Sequence, residues 1–184
     1  ALGFIGDRHR DRGEADRAIV AYGKALELRA NDPRVLAARA QLFSTSGDFA
    51  SAIRDLQQSL AQKPDQPLAW VNLGIARAAF GDVPGARQAY REALQLNASE
   101  ALAHFNLGNS YRQGEDLERA LESYLRAVSA DPGLGVAHFE ISRAYILLDR
   151  LSEALPFARR SVEFRPEHRG SREMLRDLEQ AVGR

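Results

Sequence analysis

"LAWVNLGIARAAFGD", Leu68 to Asp82, returns 34 residues later as "LAHFNLGNSYRQGED", Leu102 to Asp116. The same step organises the rest of the chain. From Ala18 it reaches Ala52, Ala86, Ala120 and Ala154. From Gly6 it reaches Ala40, Gly74, Gly108 and Ser142; from Ala25 it reaches Ser59, Ala93, Ala127 and Ser161. All of these are small. From Leu26 it reaches Leu60, Leu94, Val128 and Val162, all branched and aliphatic. Self-similarity at one fixed period marks a stack of repeats, each unable to bury its apolar face alone.

Each repeat reads as two helices. Trp70, Leu73, Ile75, Ala76, Ala79 and Phe80 recur with a period near 3.6. Gly81 suits the left-handed residue that ends a helix, and Pro84 is acceptable in the first turn of the next. Ala86, Ala89, Tyr90, Ala93, Leu94 and Leu96 then share one side. The same stop recurs at Gly13, Gly47 and Gly114, and Pro64, Pro132 and Pro166 close their units. No strict alternation asks for a strand. The small residues let paired helices approach closely.

Trp70, Leu73, Gly74, Gly81, Ala86, Tyr90 and Ala93 resemble the tetratricopeptide repeat, as do Leu107, Gly108, Tyr111, Ala120, Tyr124, Ala127 and Pro132 in the next unit. The resemblance implies an all-α, right-handed α–α superhelix spanning the chain as a single solenoid. Its units run over about 1–32, 33–66, 67–100, 101–134 and 135–168, and a capping helix covers 169–182. In that helix Met174, Leu175, Leu178 and Val182 share a face, with Arg172, Glu173, Arg176 and Glu179 elsewhere. Three residues depart from the pattern. Arg39 stands where Leu73 and Leu107 stand, so the second unit is expected to pack loosely or to lead that side chain out to water. Arg77 replaces an aromatic. Pro156 is expected to kink the fifth unit's second helix or remove an early turn.

Composition excludes several functions. Lys plus Arg balance Asp plus Glu at 25 each, which gives no reason to expect nucleic acid or an anionic membrane. No apolar run approaches the roughly 20 residues that span a bilayer, and a cytoplasmic setting is favoured. There is no cysteine, hence no thiol chemistry. Basic charge is nearly all arginine, which reads as a GC-rich, bacterial coding bias. "GDVPGAR", Gly81 to Arg87, lacks the Gly-Lys-Ser/Thr of a phosphate loop. His104 and His138 occupy equivalent places, where Trp70 also stands, so packing with a hydrogen bond explains them better than a metal site with two ligands. No catalytic constellation and no cofactor are expected.

What remains is a binding surface. In the family this chain resembles, the first helix of each pair lines the concave side. That helix offers Leu68, Val71, Asn72 and Ile75 in the third unit, Phe105, Asn106, Asn109 and Arg112 in the fourth, and Phe139, Glu140, Arg143 and Ile146 in the fifth; of these, Val71, Ile75, Phe105, Phe139 and Ile146 are expected to form an apolar contact. Asn72 and Asn106 share a register. They look like the asparagine ladder of O-linked N-acetylglucosamine transferase, which holds a peptide main chain. A carboxamide both donates and accepts, so it grips backbone without reading sequence. The chaperone-gripping carboxylate clamp of the family is not matched, since its lysines have no counterpart here. The expected function is a non-enzymatic scaffold holding an extended peptide or partner helix. Asn72, Asn106 and Asn109 would contact main chain, Phe105 and Phe139 would form apolar pockets, and Arg112 and Arg143 would steer acidic groups. Two alternatives stand beside it. One is a regulatory or substrate-delivering arm of a larger enzyme, such as a glycosyltransferase. The other is self-association through Leu2 and Ile5.

Overall fold

The structure, a computed structural model, describes residues 2–183. Among them lie eleven helices and no strand. The chain divides into two compact units. The first, up to Asn97, holds α1 (Leu2–Asp11), α2 (Ala15–Leu28), α3 (Pro33–Thr45), α4 (Phe49–Gln62), α5 (Pro67–Phe80) and α6 (Val83–Leu96). The second, from Ala98, holds α7 (Ala101–Gln113), α8 (Leu117–Ala130), α9 (Gly135–Leu147), α10 (Leu151–Phe164) and α11 (Arg169–Val182).

Within each pair the chain reverses through one left-handed residue. These are Gly13, Gly47 and Gly81, at φ 74°, 83° and 96°, then Glu115 and Asp149 at 60° and 58°. The stop expected at Gly114 therefore falls one residue later, and Gly114 itself has φ −91°. The 34-residue register prevails over residue type, because the helix lengths either side are fixed by packing. Directly after the reversal, Asp48, Asp82 and Asp116 accept from the backbone N–H of Ser51, Gly85 and Arg119 at 3.1, 2.9 and 3.2 Å. Each so caps its second helix. A Cβ is disfavoured in left-handed backbone, so Glu115→Gly is expected to stabilise the chain by about 1 kcal/mol. Asp149→Gly is expected to gain less, since Asp tolerates that conformation better. Thermal unfolding of the two variants beside the parent checks this; no rise in Tm for Glu115→Gly would refute it.

The recurring small residues have a specific neighbour. Tyr22, Tyr90 and Tyr124 pack against Gly6, Gly74 and Gly108, where an added Cβ would fall 2.4, 2.3 and 2.6 Å from ring carbons. In the second pair the tyrosine is Leu56 and the glycine becomes Ala40; in the fifth it is Ala158 and the glycine becomes Ser142. The second pair thus keeps the combined volume of glycine with tyrosine at the crossing, whereas Ser142 with Ala158 is smaller. Ala18, Ala52, Ala86, Ala120 and Ala154 are all fully buried, as close helix approach requires.

Arg39 turns out otherwise than expected, and of the two outcomes expected at Pro156 the lost turn is absent. Arg39 neither loosens the second pair nor escapes to water. Its Nε and Nη2 hold the Asp55 carboxylate at 2.6 and 2.8 Å, and its guanidinium lies 5.6 Å from the Phe43 ring centre. Asp55 is only 3% exposed. Nor does Pro156 cost a turn. The helix α10 runs from Leu151 to Phe164 with Pro156 inside it, starting in register with α4, α6 and α8. Pro156 and Ser152, whose carbonyl lacks the usual i+4 donor, both face solvent, so water satisfies what the ring cannot. In α11, Ser171 and Leu178 are buried and Met174 and Leu175 partly so, while Val182 is exposed.

Candidate peptide-binding face

Three first helices are pinned by one device. Trp70 donates from Nε1 to the Pro64 carbonyl at 2.8 Å. His104 and His138 bond through Nε2 to the carbonyls of Ala98 and Pro132, at 3.0 and 2.9 Å. In each case a ring nitrogen reaches the carbonyl six residues back. The two histidines therefore hold loop to helix, as the tryptophan does. Among the described residues no three ligating side chains come together as a metal site.

In the second unit, α7, α8 and α9 bring five of the candidate residues around a shared centre. The Tyr124 hydroxyl, rising from α8, donates to Asn109 Oδ1 at 2.8 Å. The Phe105 ring lies against Tyr124, centres 5.7 Å apart. Glu140 on α9 takes Arg112 at 3.5 Å on one side and Arg143 at 3.3 Å on the other. Its side chain is 15% exposed, whereas those of Arg112 and Arg143 are 35% and 38% exposed. Two guanidiniums against one carboxylate leave a positive charge in excess, and it faces solvent. Burial, reinforced by the Glu140 charge, pushes the Tyr124 phenol up to about 12. It therefore stays a donor at any ordinary pH.

The other candidates stand differently. Asn106 spends Nδ2 on the Leu102 carbonyl at 2.9 Å, one turn back on its own helix, which leaves its Oδ1 lone pairs outward. Phe139 meets the His168 ring edge-on at 5.1 Å. Asn72 is exposed on α5 of the first unit, beside exposed Leu68 and Ile75, while Val71 is in the core. Leu2 and Ile5 line a cavity of 460 Å³ with Val20, Ala21, His9, Asp16, Arg17 and Lys24.

The first unit has a cluster built on the same plan. The Tyr22 hydroxyl donates to Asp7 at 2.7 Å, and Arg34 reaches the other oxygen at 2.9 Å. Burial alone would raise the Asp7 carboxyl; these bonds and the nearby Arg10 hold it below the ordinary carboxylate value. Sequence reasoning placed Glu140 on the face without giving it a role, and did not assign Tyr124 to it. The spacing from Glu140 to Arg143 was the available signal, since i and i+3 meet on a helix.

Helix pairs of this length, repeated in register with Gly under Tyr, define a class of stacked-repeat protein. The chain belongs to the tetratricopeptide-repeat family: the family's models match residues 37–101 and 79–135, and another matches 6–47. Its fold is an all-α tetratricopeptide-repeat solenoid. A crystal structure of MamA superposes with a TM-score of 0.83 at 28% identity, covering 89% of this chain and 95% of that one. PilF of Pseudomonas aeruginosa gives 0.88 at 19% identity, over 100% of this chain and 83% of its own, a likeness of fold. The heat-shock cognate co-chaperone sgt12 of Aspergillus fumigatus is 34% identical over 77 residues, 42% of this chain. This chain spans 23% and 18% of the lengths of the two curated relatives it matches. Family and relatives together support a protein–protein interaction scaffold. Among the described residues no helix is long and apolar enough to cross a membrane.

Proposed function

We propose that this chain is a non-enzymatic scaffold whose α7–α9 face holds an extended acidic peptide segment. The observation that carries this is the excess positive charge at Glu140, with Arg112 and Arg143 each more than a third exposed and Phe105 and Phe139 beside them. A peptide carboxylate would take the donors that Glu140 leaves unused, since a guanidinium carries five. Phe105 and Phe139 would receive apolar side chains on either side. Asn106 Oδ1 would accept from a peptide N–H. Asn109 enters indirectly, because its Oδ1 is committed to Tyr124. Asn72, on α5 of the first unit, would offer a main-chain contact of the same kind within that unit.

Opposed substitutions test this. Arg143→Ala should weaken binding to an array of acidic peptides about tenfold, the loss expected for a hydrogen bond to a charged group. Glu140→Gln should strengthen it, because it removes the competing carboxylate. Fluorescence polarisation at two salt concentrations reads both, and the gain should shrink at high salt. Equal binding by parent, Arg143→Ala and Glu140→Gln would overturn the acidic-peptide reading.

A further inference from the structure

The outer face of α2 breaks the 34-residue pattern in two places. Val20 is 58% exposed. Its place in the later pairs holds Arg54, Gln88, Glu122 and Pro156, all exposed. That place therefore faces water even in pairs that follow another pair, and only α2 puts an aliphatic side chain there. Gly23 stands where Gln57, Arg91, Leu125 and Arg159 stand. An added Cβ at Gly23 would meet nothing nearer than Arg39 at 3.8 Å, so packing within the chain does not call for glycine. Glycine is costly inside a helix and suits a place where another group comes close.

Charge follows the same face. Asp16, Val20 and Lys24 are spaced four residues apart and so lie in line, with Gly23 beside them. Asp16 and Lys24 are exposed, and among the described residues neither has an ion-pair partner. They stand about 12 Å apart along the axis, too far to meet each other. The three residues wall a cavity of 460 Å³ backed by Leu2 and Ile5 of α1, and Ile5 is 42% exposed.

We propose that this face binds a second copy of the chain, with the two α2 helices antiparallel about a two-fold axis at Val20. The stripe is self-complementary. Turned end for end about Val20, Asp16 falls opposite the partner's Lys24, and Lys24 opposite the partner's Asp16. Val20 meets the partner's Val20. Gly23 receives the partner's Arg17, a side chain that is 72% exposed. A parallel pairing would instead set aspartate against aspartate and lysine against lysine, which is repulsive. The helix dipole favours Asp16 near the start of α2 but gives no reason for Val20 or Gly23. A two-fold contact uses the same patch on both copies, so the assembly closes at two chains. The patch is narrow, and the dimer belongs to the weak, transient class. All of these residues lie in the first unit, and the contact does not depend on the peptide-binding reading.

Analytical ultracentrifugation from about 10 µM to 1 mM should show the parent passing from one chain toward two. Asp16→Lys and Lys24→Asp should each weaken self-association about tenfold, because two attractive contacts become repulsive. An equimolar mixture of the two variants should pair, since every contact again joins opposite charges. A chain carrying both substitutions should pair with itself as the parent does. Gly23→Gln, which brings in the residue of the next pair, should leave the chain single while its Tm is no lower than the parent's. Circular dichroism of each variant confirms that the helices are intact. A parent that stays single at the highest concentration, a dimer that survives both single reversals, or a mixture no heavier than its components would overturn the proposal.

Discussion

Arg39→Leu alone is expected to destabilise the first unit by about 3–5 kcal/mol, although leucine is what the next repeat carries at that place. The cost arises at Asp55, which is 3% exposed and would keep its carboxylate with no guanidinium against it. Removing one member of a buried pair leaves a charge that neither water nor protein compensates. Adding Asp55→Ala to Arg39→Leu should recover most of the loss, because Leu with Ala is the combination at Leu73 and Ala89, exposed 1% and 0%. Chemical denaturation of parent, single variants and double variant gives the coupling energy directly. If the double variant were no more stable than Arg39→Leu, the ion pair would not be the reason Arg39 is tolerated.

The second large effect is steric. Gly74→Ala puts a methyl group 2.3 Å from the Tyr90 ring, which is 1% exposed and has no room to swing. Overpacking of this kind costs about 1–3 kcal/mol, net of the helix propensity that alanine adds. Tyr90→Leu in the same chain should relieve it, reproducing Ala40 under Leu56. The cycle is informative because Tyr90→Leu by itself should destabilise by leaving a void over Gly74. Additive losses in the double variant would mean that ring and glycine do not share the crossing.

Much of the fold was legible because every repeat solves one packing problem with the same residue sizes. The five alanines in register reported close helix crossings before any coordinate did. What stayed hidden lies between helices. Arg39 with Asp55, Leu73 with Ala89 and Ile141 with Phe157 are all 16 residues apart, as are Gly74 and Tyr90. A comparison along one helix sees Arg39 as a defect, and only the partner across the turn shows why it is not. Glu115 was missed for a related reason. Glycine is a strong marker of left-handed backbone, so Gly114 drew the assignment, while position in the period carried more weight. At the candidate face, Phe105, Arg112 and Arg143 were readable as outward residues on first helices. That Asn109 is committed to Tyr124, and that both arginines share Glu140, depends on distances between three helices.

The ring-to-carbonyl bonds at Trp70, His104 and His138 act as a ruler. Each spans six residues and needs one N–H at one reach, so tryptophan and histidine interchange there freely. Length does not. A residue inserted between Pro64 and Trp70 would carry the carbonyl off the indole and turn every later side chain of the loop. In these three joints the loop length is thus part of the recognition between loop and helix, so a module can be exchanged whole for its neighbour while a one-residue change inside the joint forfeits the bond.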